Sequence, residues 1–326
     1  MTTIGTAAPA ASAQLDAAAD EALLRLGRAL EDRGYRFITV TPTTHERVNR
    51  RPGNAWAHNE RDVLGWSRPF RDGVLPAELM ELLDAGGALE RHGDGWRSRV
   101  RFSSYDDELF LHSAFPTATA DSVFLGPDTY RMADAAVAHL AARATPVRRA
   151  VDIGCGTGAG AIAIAKRAPE AEVIGVDIND TALRYARINA ELAGTERVRL
   201  SRSDLLDGVD GTFDLIIANP PFMIDPAGRT YRDGGGPHGN ELSLAVVDAA
   251  KQRLAPGGSL VLFSGTGIVD GKDPLRAAAE RRLAGAGLAW TYREVDPDVY
   301  GEELDTAAYQ HAERIAVVVL TATRPR

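Results

Sequence analysis

The chain has 326 residues, a single cysteine, and 37 Lys and Arg against 45 Asp and Glu, for a net charge of −8. One cysteine excludes an internal disulfide, and no apolar run approaches the ~20 residues of a bilayer span. The acidic balance argues against broad binding to a phosphate backbone, and the length suits about two domains with a sizeable core. These features point to a cytoplasmic enzyme.

Residues 1–13 are rich in Ala and Thr, lack a basic start or an apolar block, and read as a disordered tail. Residues 14–115 read as an N-terminal domain. A helix from about Ser12 to Arg33 carries Leu15, Ala19, Ala22, Leu23, Leu26 and Leu30 on one stripe. An extended piece, Phe37 to Val40, precedes Pro42, and a loop follows that contains Trp56, His58, Asp62, Trp66 and Phe70. A second helix spans Pro76 to Leu83. Alternation in Trp96–Phe102 and apolar Leu109–Leu111 give a strand pair. Helices followed by a hairpin make an α+β unit of winged-helix-like pattern, expected to cover a substrate. Arg47, Arg50, Arg51, Arg61, Arg68 and Arg71, and Arg97, Arg99 and Arg101 on one strand, read as solvated faces. A site for a carboxylate-bearing small substrate is the second reading of these arginines. His45, His58, His112 and His238 lack metal-ligand spacing, so no metal is expected. Phe115-Pro116 reads as the linker.

Residues 116–326 read as the second domain. Val151-Asp152-Ile153-Gly154-Cys155-Gly156-Thr157-Gly158-Ala159-Gly160 closes an apolar strand and opens an Ala/Ile-rich helix. Glycines let a backbone approach a ligand, and the helix start offers free N–H groups. Gly154-x-Gly156-x-x-Ala159 also satisfies a dinucleotide fingerprint, with Asp177 following 23 residues after Gly154. Asp152, just before the turn, disfavours a pyrophosphate and favours a cationic amino-acid ligand such as S-adenosylmethionine (SAM). Cys155 reads as a small side chain in the loop, not a nucleophile. Strand Glu172–Asp177 puts Asp177 at its tip, where a carboxylate accepts ribose hydroxyls or caps a helix. Strand Val198–Leu200 leads to Asp204, near an adenine amino group or in a plain turn. Strand Phe213–Ala218 runs into Asn219-Pro220-Pro221-Phe222, and two prolines end a central strand at the sheet edge. That edge is where open α/β sheets bind ligands. The Asn219 side-chain carbonyl, the Pro220 carbonyl and the Phe222 ring suit a planar NH2 group, although a Pro-rich strand exit has the same sequence.

With these motifs in place the chain resembles the class I SAM-dependent methyltransferases, in particular the Asn-Pro-Pro-aromatic branch. That branch holds the release-factor glutamine methyltransferases and the adenine or guanine amino-group methyltransferases. The resemblance covers roughly residues 120–326. It includes Gly126-Pro127-Asp128-Thr129-Tyr130, with Asp128 lying 24 residues before Asp152, then Tyr231-Arg232-Asp233-Gly234-Gly235, His238-Gly239 and Leu254–Leu260. It implies a doubly wound, Rossmann-like seven-stranded sheet. It also implies a cofactor site in which Asp152 and the loop of Gly154, Gly156 and Gly158 hold the methionine part, with Asp128 at the lip. Asp177 then holds the ribose and Asp204 the adenine, while Asn219 and Pro220 hold the acceptor nitrogen. The branch often has Tyr where Phe222 stands; Phe keeps the stacking surface and loses a hydroxyl.

The expectation is SAM-dependent N-methylation of a planar amide or guanidine nitrogen. A free amino acid is placed ahead of a protein side chain such as that of a release factor, with a nucleobase amino group as the first alternative. A nicotinamide dehydrogenase and a non-catalytic SAM-binding module are the alternatives from other classes.

Overall fold

The computed structural model describes residues 8–226, 228, 229 and 231–326, with residues 8–15 described by backbone alone. Of the expected tail, residues 1–7 lie outside the described residues. Residues 8–13 correct that expectation: they form the first turns of α1 (Ala8–Asp32). Alanine is the strongest helix former, and Pro9 is tolerated in a first turn.

The chain divides into two compact units. One runs to Pro116 and includes Glu191–Ala193; the other holds Thr117–Ala190 and Gly194–Arg326. In the first, α1 packs on α4 (Ala77–Ala85), burying Leu23, Leu26 and Leu30 with Leu79 and Leu83. Between them come α2 (Pro42–Asn49), capped by the Thr41 hydroxyl, and α3 (Glu60–Leu64), capped by the Asn59 carbonyl. Two hairpins follow: β1 (Leu89–His92) with β2 (Gly95–Ser98), and β3 (Val100–Tyr105) with β4 (Glu108–Ser113). The extended Phe37 segment lies along β3, where Ser104 N donates to Phe37 O at 2.6 Å.

The arginines differ from expectation here. Ser98 Oγ bonds to both Val100 N and Val100 O and breaks the chain between β2 and β3, so Arg97 and Arg101 fall on separate strands. Arg101 is buried, its Nε donating to Ser113 O at 3.1 Å. Arg68 is buried too, paired with Asp62 at 2.6 Å and donating to Asn49 Oδ1 at 2.9 Å. His45 donates from Nε2 to the Trp66 carbonyl at 2.7 Å, which leaves Nδ1 to accept from Arg101 at 3.4 Å in a neutral ring. Burial, and then the Arg101 charge, pull the His45 pKa down to about 4. His112 Nε2 meets Ser103 Oγ at 2.7 Å, which meets Thr39 Oγ1 at 2.6 Å.

The second unit starts with α5 (Pro127–Ala142) and β5 (Arg149–Ile153). There follow α6 (Ala159–Arg167), β6 (Glu172–Asp177), α7 (Asp180–Leu192), β7 (Arg199–Arg202) and β8 (Phe213–Ala218). The unit then closes with α8 (Glu241–Arg253), β9 (Leu254–Ile268), α9 (Pro274–Leu283), β10 (Ala289–Asp296), a 3₁₀ turn at Gly301–Asp305, and β11 (Arg314–Thr323). The seven strands lie in the order β10-β11-β9-β8-β5-β6-β7, with β11 alone antiparallel to its neighbours. β5 and β8 are mostly apolar and buried on both faces, Asp152 among the buried residues of β5, as suits central parallel strands under helices. The chain winds outward from β5 to β7 and returns to β8 on the other side. That reversal opens a crevice at the carboxyl ends of β5 and β8.

Candidate functional site

Strand register assembles the site. Ile153 at the end of β5 is level with Val176 of β6 and Ala218 of β8, and Asp177 is level with Arg202 of β7. One residue further on, Gly154 and Asn219 stand side by side, with Asp177 beside Gly154 and Ser203-Asp204 beyond Asp177. Four strand ends thus contribute the residues that the sequence singled out.

Gly154 and Gly156 hold φ of +68° and +53°, and nothing lies within 4 Å of where a Cβ would stand on either. Only glycine adopts this turn without strain, and the open space beside it can admit a ligand. Gly158, also left-handed, caps α6. Asp177 is fixed beneath the turn, Oδ2 accepting from Gly156 N and Oδ1 from Asn179 N, each at 2.9 Å. Asp152 is 1% exposed; Oδ2 accepts from Ala161 N in the first turn of α6 at 3.0 Å, and Oδ1 has no hydrogen bond. Burial, reinforced by the Asp177 charge, pushes the Asp152 pKa up to about 7. Asp204 is exposed, in a turn tied to β6 through Ser203 N and Asp177 O at 3.0 Å. Cys155 is buried and its thiol pKa is raised by that burial, which leaves it unreactive.

Asn219 Oδ1 is buried with no hydrogen bond, and Pro220 is buried behind it. Phe222 is 7% exposed, its ring occupying the space a Cβ on Gly265 of β9 would take, with Phe263 at 6.4 Å. The segment after the motif folds back on it: Met223 N donates to Arg232 O at 3.1 Å and Gly234 N to Met223 O at 2.9 Å. Asp225 braces this return with a two-pronged pair to Arg229, both contacts at 2.8 Å, which holds its pKa down at about 2. Asp128, in the first turn of α5, accepts the Tyr300 hydroxyl on Oδ2, and its Oδ1 is unbonded. Burial raises the Asp128 pKa.

Sequence reasoning missed three residues here. Ile178, beside Asp177, is 50% exposed, one of two large apolar side chains so placed among the described residues. Asn240 ties the start of α8 to β9 through Nδ2 and Gly265 O at 2.9 Å, and a polar residue before an apolar run was a readable helix-start signal. Tyr300 lies in Asp-Pro-Asp-Val-Tyr-Gly, which carries no periodic signal at all. Among the described residues no group of three or more His, Cys, Asp or Glu is placed to hold a metal, and no helix is long and apolar enough to cross a membrane.

The profile of the family described as "Methyltransferase small domain" matches residues 123–268. A release factor glutamine methyltransferase of Mycobacterium leprae is 37% identical over 202 residues, which make up 55% of this chain and 68% of that protein. This chain belongs to the family of the release factor glutamine methyltransferases. Its Deinococcus radiodurans relative of the same description is 34% identical over 197 residues, 57% of this chain and 66% of that one. A ribosomal protein uL3 glutamine methyltransferase of Neisseria meningitidis is 35% identical over 143 residues, 40% and 46% respectively. The chain therefore spans about half to two thirds of the length of these members of the family. The matched segment 123–268 holds Asp128, Asp152, the glycine turn, Asp177, Asp204 and Asn219, and it ends before Tyr300.

Proposed function

We propose that this protein transfers a methyl group from SAM to the side-chain amide nitrogen of a protein glutamine. The observation that carries the reading is the buried, unbonded Oδ1 of Asn219, one residue past β8 and beside the open glycine turn. A buried carbonyl oxygen with no donor costs stability in the empty fold and becomes favourable when a ligand brings an N–H.

The residues present fit SAM. The space over Gly154 and Gly156 and the unbonded, buried carboxylate oxygen of Asp152 suit an amino-acid end bearing an ammonium. Asp177, locked by two backbone N–H groups, keeps its remaining lone pairs for ribose hydroxyls. Ile178 offers an apolar surface and Asp204 an acceptor for the base, and Asp128 stands at the lip. When bound, SAM would supply an electrophilic methyl group, its sulfur–carbon bond breaking to leave S-adenosylhomocysteine as the nitrogen–carbon bond forms, with the proton lost by the amide nitrogen passing to water.

The amide nitrogen is a weak nucleophile because its lone pair is delocalised. Asn219 Oδ1 and the Pro220 carbonyl each accept one of its N–H bonds, which fixes the nitrogen and enriches it in electron density. Orientation and matched dipoles then supply most of the rate. The Phe222 ring, held against β9, walls this turn. A protein amide replaces the free amino acid put first from sequence, because relatives in both branches of the comparison are named for glutamine in a protein.

The test is transfer of tritiated methyl from SAM to a purified bacterial release factor, followed by mapping of the labelled residue. Label on a glutamine, lost in Asn219→Ala, is expected. Label absent from every protein glutamine but present on a nucleobase or a free amino acid would overturn the assignment.

A further inference from the structure

We propose that Tyr300 is a positioning residue for the acceptor, an aromatic wall beside the Asn-Pro-Pro-Phe turn held in place by Asp128; this rests on the reading of that turn as the acceptor site. Four observations converge on it.

Tyr300 is left-handed, with φ 54° and ψ 37°. A bulky side chain keeps that conformation only where its surroundings over-determine it, and such residues gather at functional sites. The surroundings here do so. The Tyr300 hydroxyl donates to the buried Asp128 carboxylate, Val299 N donates to Ile315 O at 2.8 Å, and Glu303 pairs with Arg232 at 2.5 Å. The connection between β10 and β11 is thus fastened to α5 on one side and to the segment following the motif on the other.

The Tyr300 ring lies 6.3 Å from the Phe222 ring, at 55° to it. Phe222 is buried against Gly265 and Phe263, so its ring is spent on holding the turn against β9. Tyr300 is half-buried and keeps exposed surface beside the same turn. Asp128 belongs to this edge as well. One helical turn on, Met132 Cε reaches within 3.0 Å of the point where a Gly160 Cβ would stand, and Asp152 Oδ2 reaches within 2.7 Å of it. The second Asp128 oxygen is buried and unbonded, with Arg131 3.7 Å away, beyond hydrogen-bond distance.

A flat amide between Asn219 and a tyrosine ring is held in its plane, which the in-line geometry of transfer requires. The Asp128 carboxylate sets where that ring stands. Tyr300 lies outside the segment 123–268 that the family profile matches.

Three variants test the proposal: Tyr300→Gly, Tyr300→Phe and Asp128→Asn. Glycine is at ease in the left-handed region, so Tyr300→Gly removes the ring without backbone strain, and its thermal unfolding is measured beside its kinetics. It should raise the KM for a release factor at least tenfold and lower kcat, while calorimetric binding of S-adenosylhomocysteine stays within twofold. Tyr300→Phe keeps the wall and loses its anchor, so it should recover most of kcat and part of KM. Asp128→Asn retains an oxygen that can accept the phenol, so its acceptor KM should be equal to or lower than that of Tyr300→Phe. Unchanged acceptor KM and kcat in Tyr300→Gly, in an enzyme whose wild type methylates the protein, would overturn the inference and leave the functional reading standing. A Tyr300→Gly effect confined to thermal stability would overturn it as well. Absence of transfer by the wild type to any protein glutamine would overturn both.

Discussion

Both units bury polar side chains, and they treat them differently. In the N-terminal unit His45, Arg68, Ser103 and Thr39 are buried among partners from the same unit, and the side-chain atoms left without a hydrogen bond there are nitrogens, Arg97 Nε and His112 Nδ1. At the carboxyl edge of the sheet they are acceptor oxygens: Asp128 Oδ1, Asp152 Oδ1 and Asn219 Oδ1 are buried and make no hydrogen bond, the first lying 3.7 Å from Arg131. All three can accept hydrogen bonds and two belong to carboxyl groups that burial holds towards the neutral form, so a ligand that brings N–H groups and positive charge suits them. Several buried acceptors left without a donor at the carboxyl edge of an open α/β sheet mark a site, because a ligand's N–H groups can complete them. The same contrast separates changes that abolish chemistry from changes that alter stability.

The largest effect is expected at Asn219. Asn219→Ala should lower kcat by about a hundredfold or more, the scale of removing one preorganised group aimed at the reacting atom. Affinity for S-adenosylhomocysteine should be nearly unchanged, because the proposed role of this carbonyl is to hold the acceptor and not the cofactor. Steady-state kinetics with calorimetry on the same preparation settles it, and near-normal turnover would move the acceptor away from this turn.

Asp177 comes next. Its carboxylate is held by Gly156 N and Asn179 N, so Asp177→Ala removes the ribose acceptors and loosens the turn. Cofactor affinity should fall by about 1.5–3 kcal/mol, the range for charge-assisted hydrogen bonds. Tighter binding of NAD than of SAM in wild-type titrations would sink the cofactor assignment.

Much of this edge was legible in the sequence because each member sits where local chemistry ends a strand. Two prolines stop β8 after Ala218, glycines with positive φ stop β5 after Ile153, and carboxylates mark the tips of β6 and β7. The helix after the glycine turn follows from an apolar run opened by turn residues, and the seven-stranded sheet was an implication of the family resemblance. Tyr300 was not legible. Its position depends on a pairing with Asp128 across 172 residues, and no spacing rule spans that distance. The buried arginines were missed for a related reason. Arg97, Arg99 and Arg101 alternate like a solvated strand face, and only the break at Ser98 and Val100 turns Arg101 inward.

Asp152 gives a smaller effect, visible as pH dependence. Its pKa is pushed up to about 7, so the ionised form is disfavoured in the free fold, chiefly by burial. A folded carboxylate pKa above its unfolded value means the fold is most stable with Asp152 neutral. That stability falls as pH rises from the unfolded value, ~3.9, towards 7. A ligand ammonium prefers the ionised form, so affinity should rise with pH across the same group. Between pH 6 and pH 8 the dissociation constant of S-adenosylhomocysteine should fall by about tenfold, and Asp152→Asn should flatten that profile. An unchanged slope in the variant would show that the titrating group lies elsewhere.

The last expected effect belongs to the N-terminal side of the comparison; it leaves activity untouched and bears on stability alone. His45 is neutral in the fold, its pKa pulled down to about 4 by burial and by Arg101. Protonation would place a second positive charge against the guanidinium that Nδ1 now accepts from. With a folded pKa below the unfolded value of ~6.5, the contribution of His45 is fully present above pH 6.5 and is lost as pH falls towards 4. Each such histidine steepens the acid decline of unfolding free energy by up to about 1.4 kcal/mol per pH unit in that window. His112, whose pKa is also lowered by burial, adds in the same direction. In His45→Gln the amide can still donate to Trp66 O, and it does not titrate. Urea unfolding of the full chain at pH 7, 5.5 and 4.5 should therefore show a shallower decline for the variant, by about one proton, with a modest loss at pH 7. Equal slopes for the two proteins would mean that His45 is already protonated in the fold, and the neutral-ring assignment would fall.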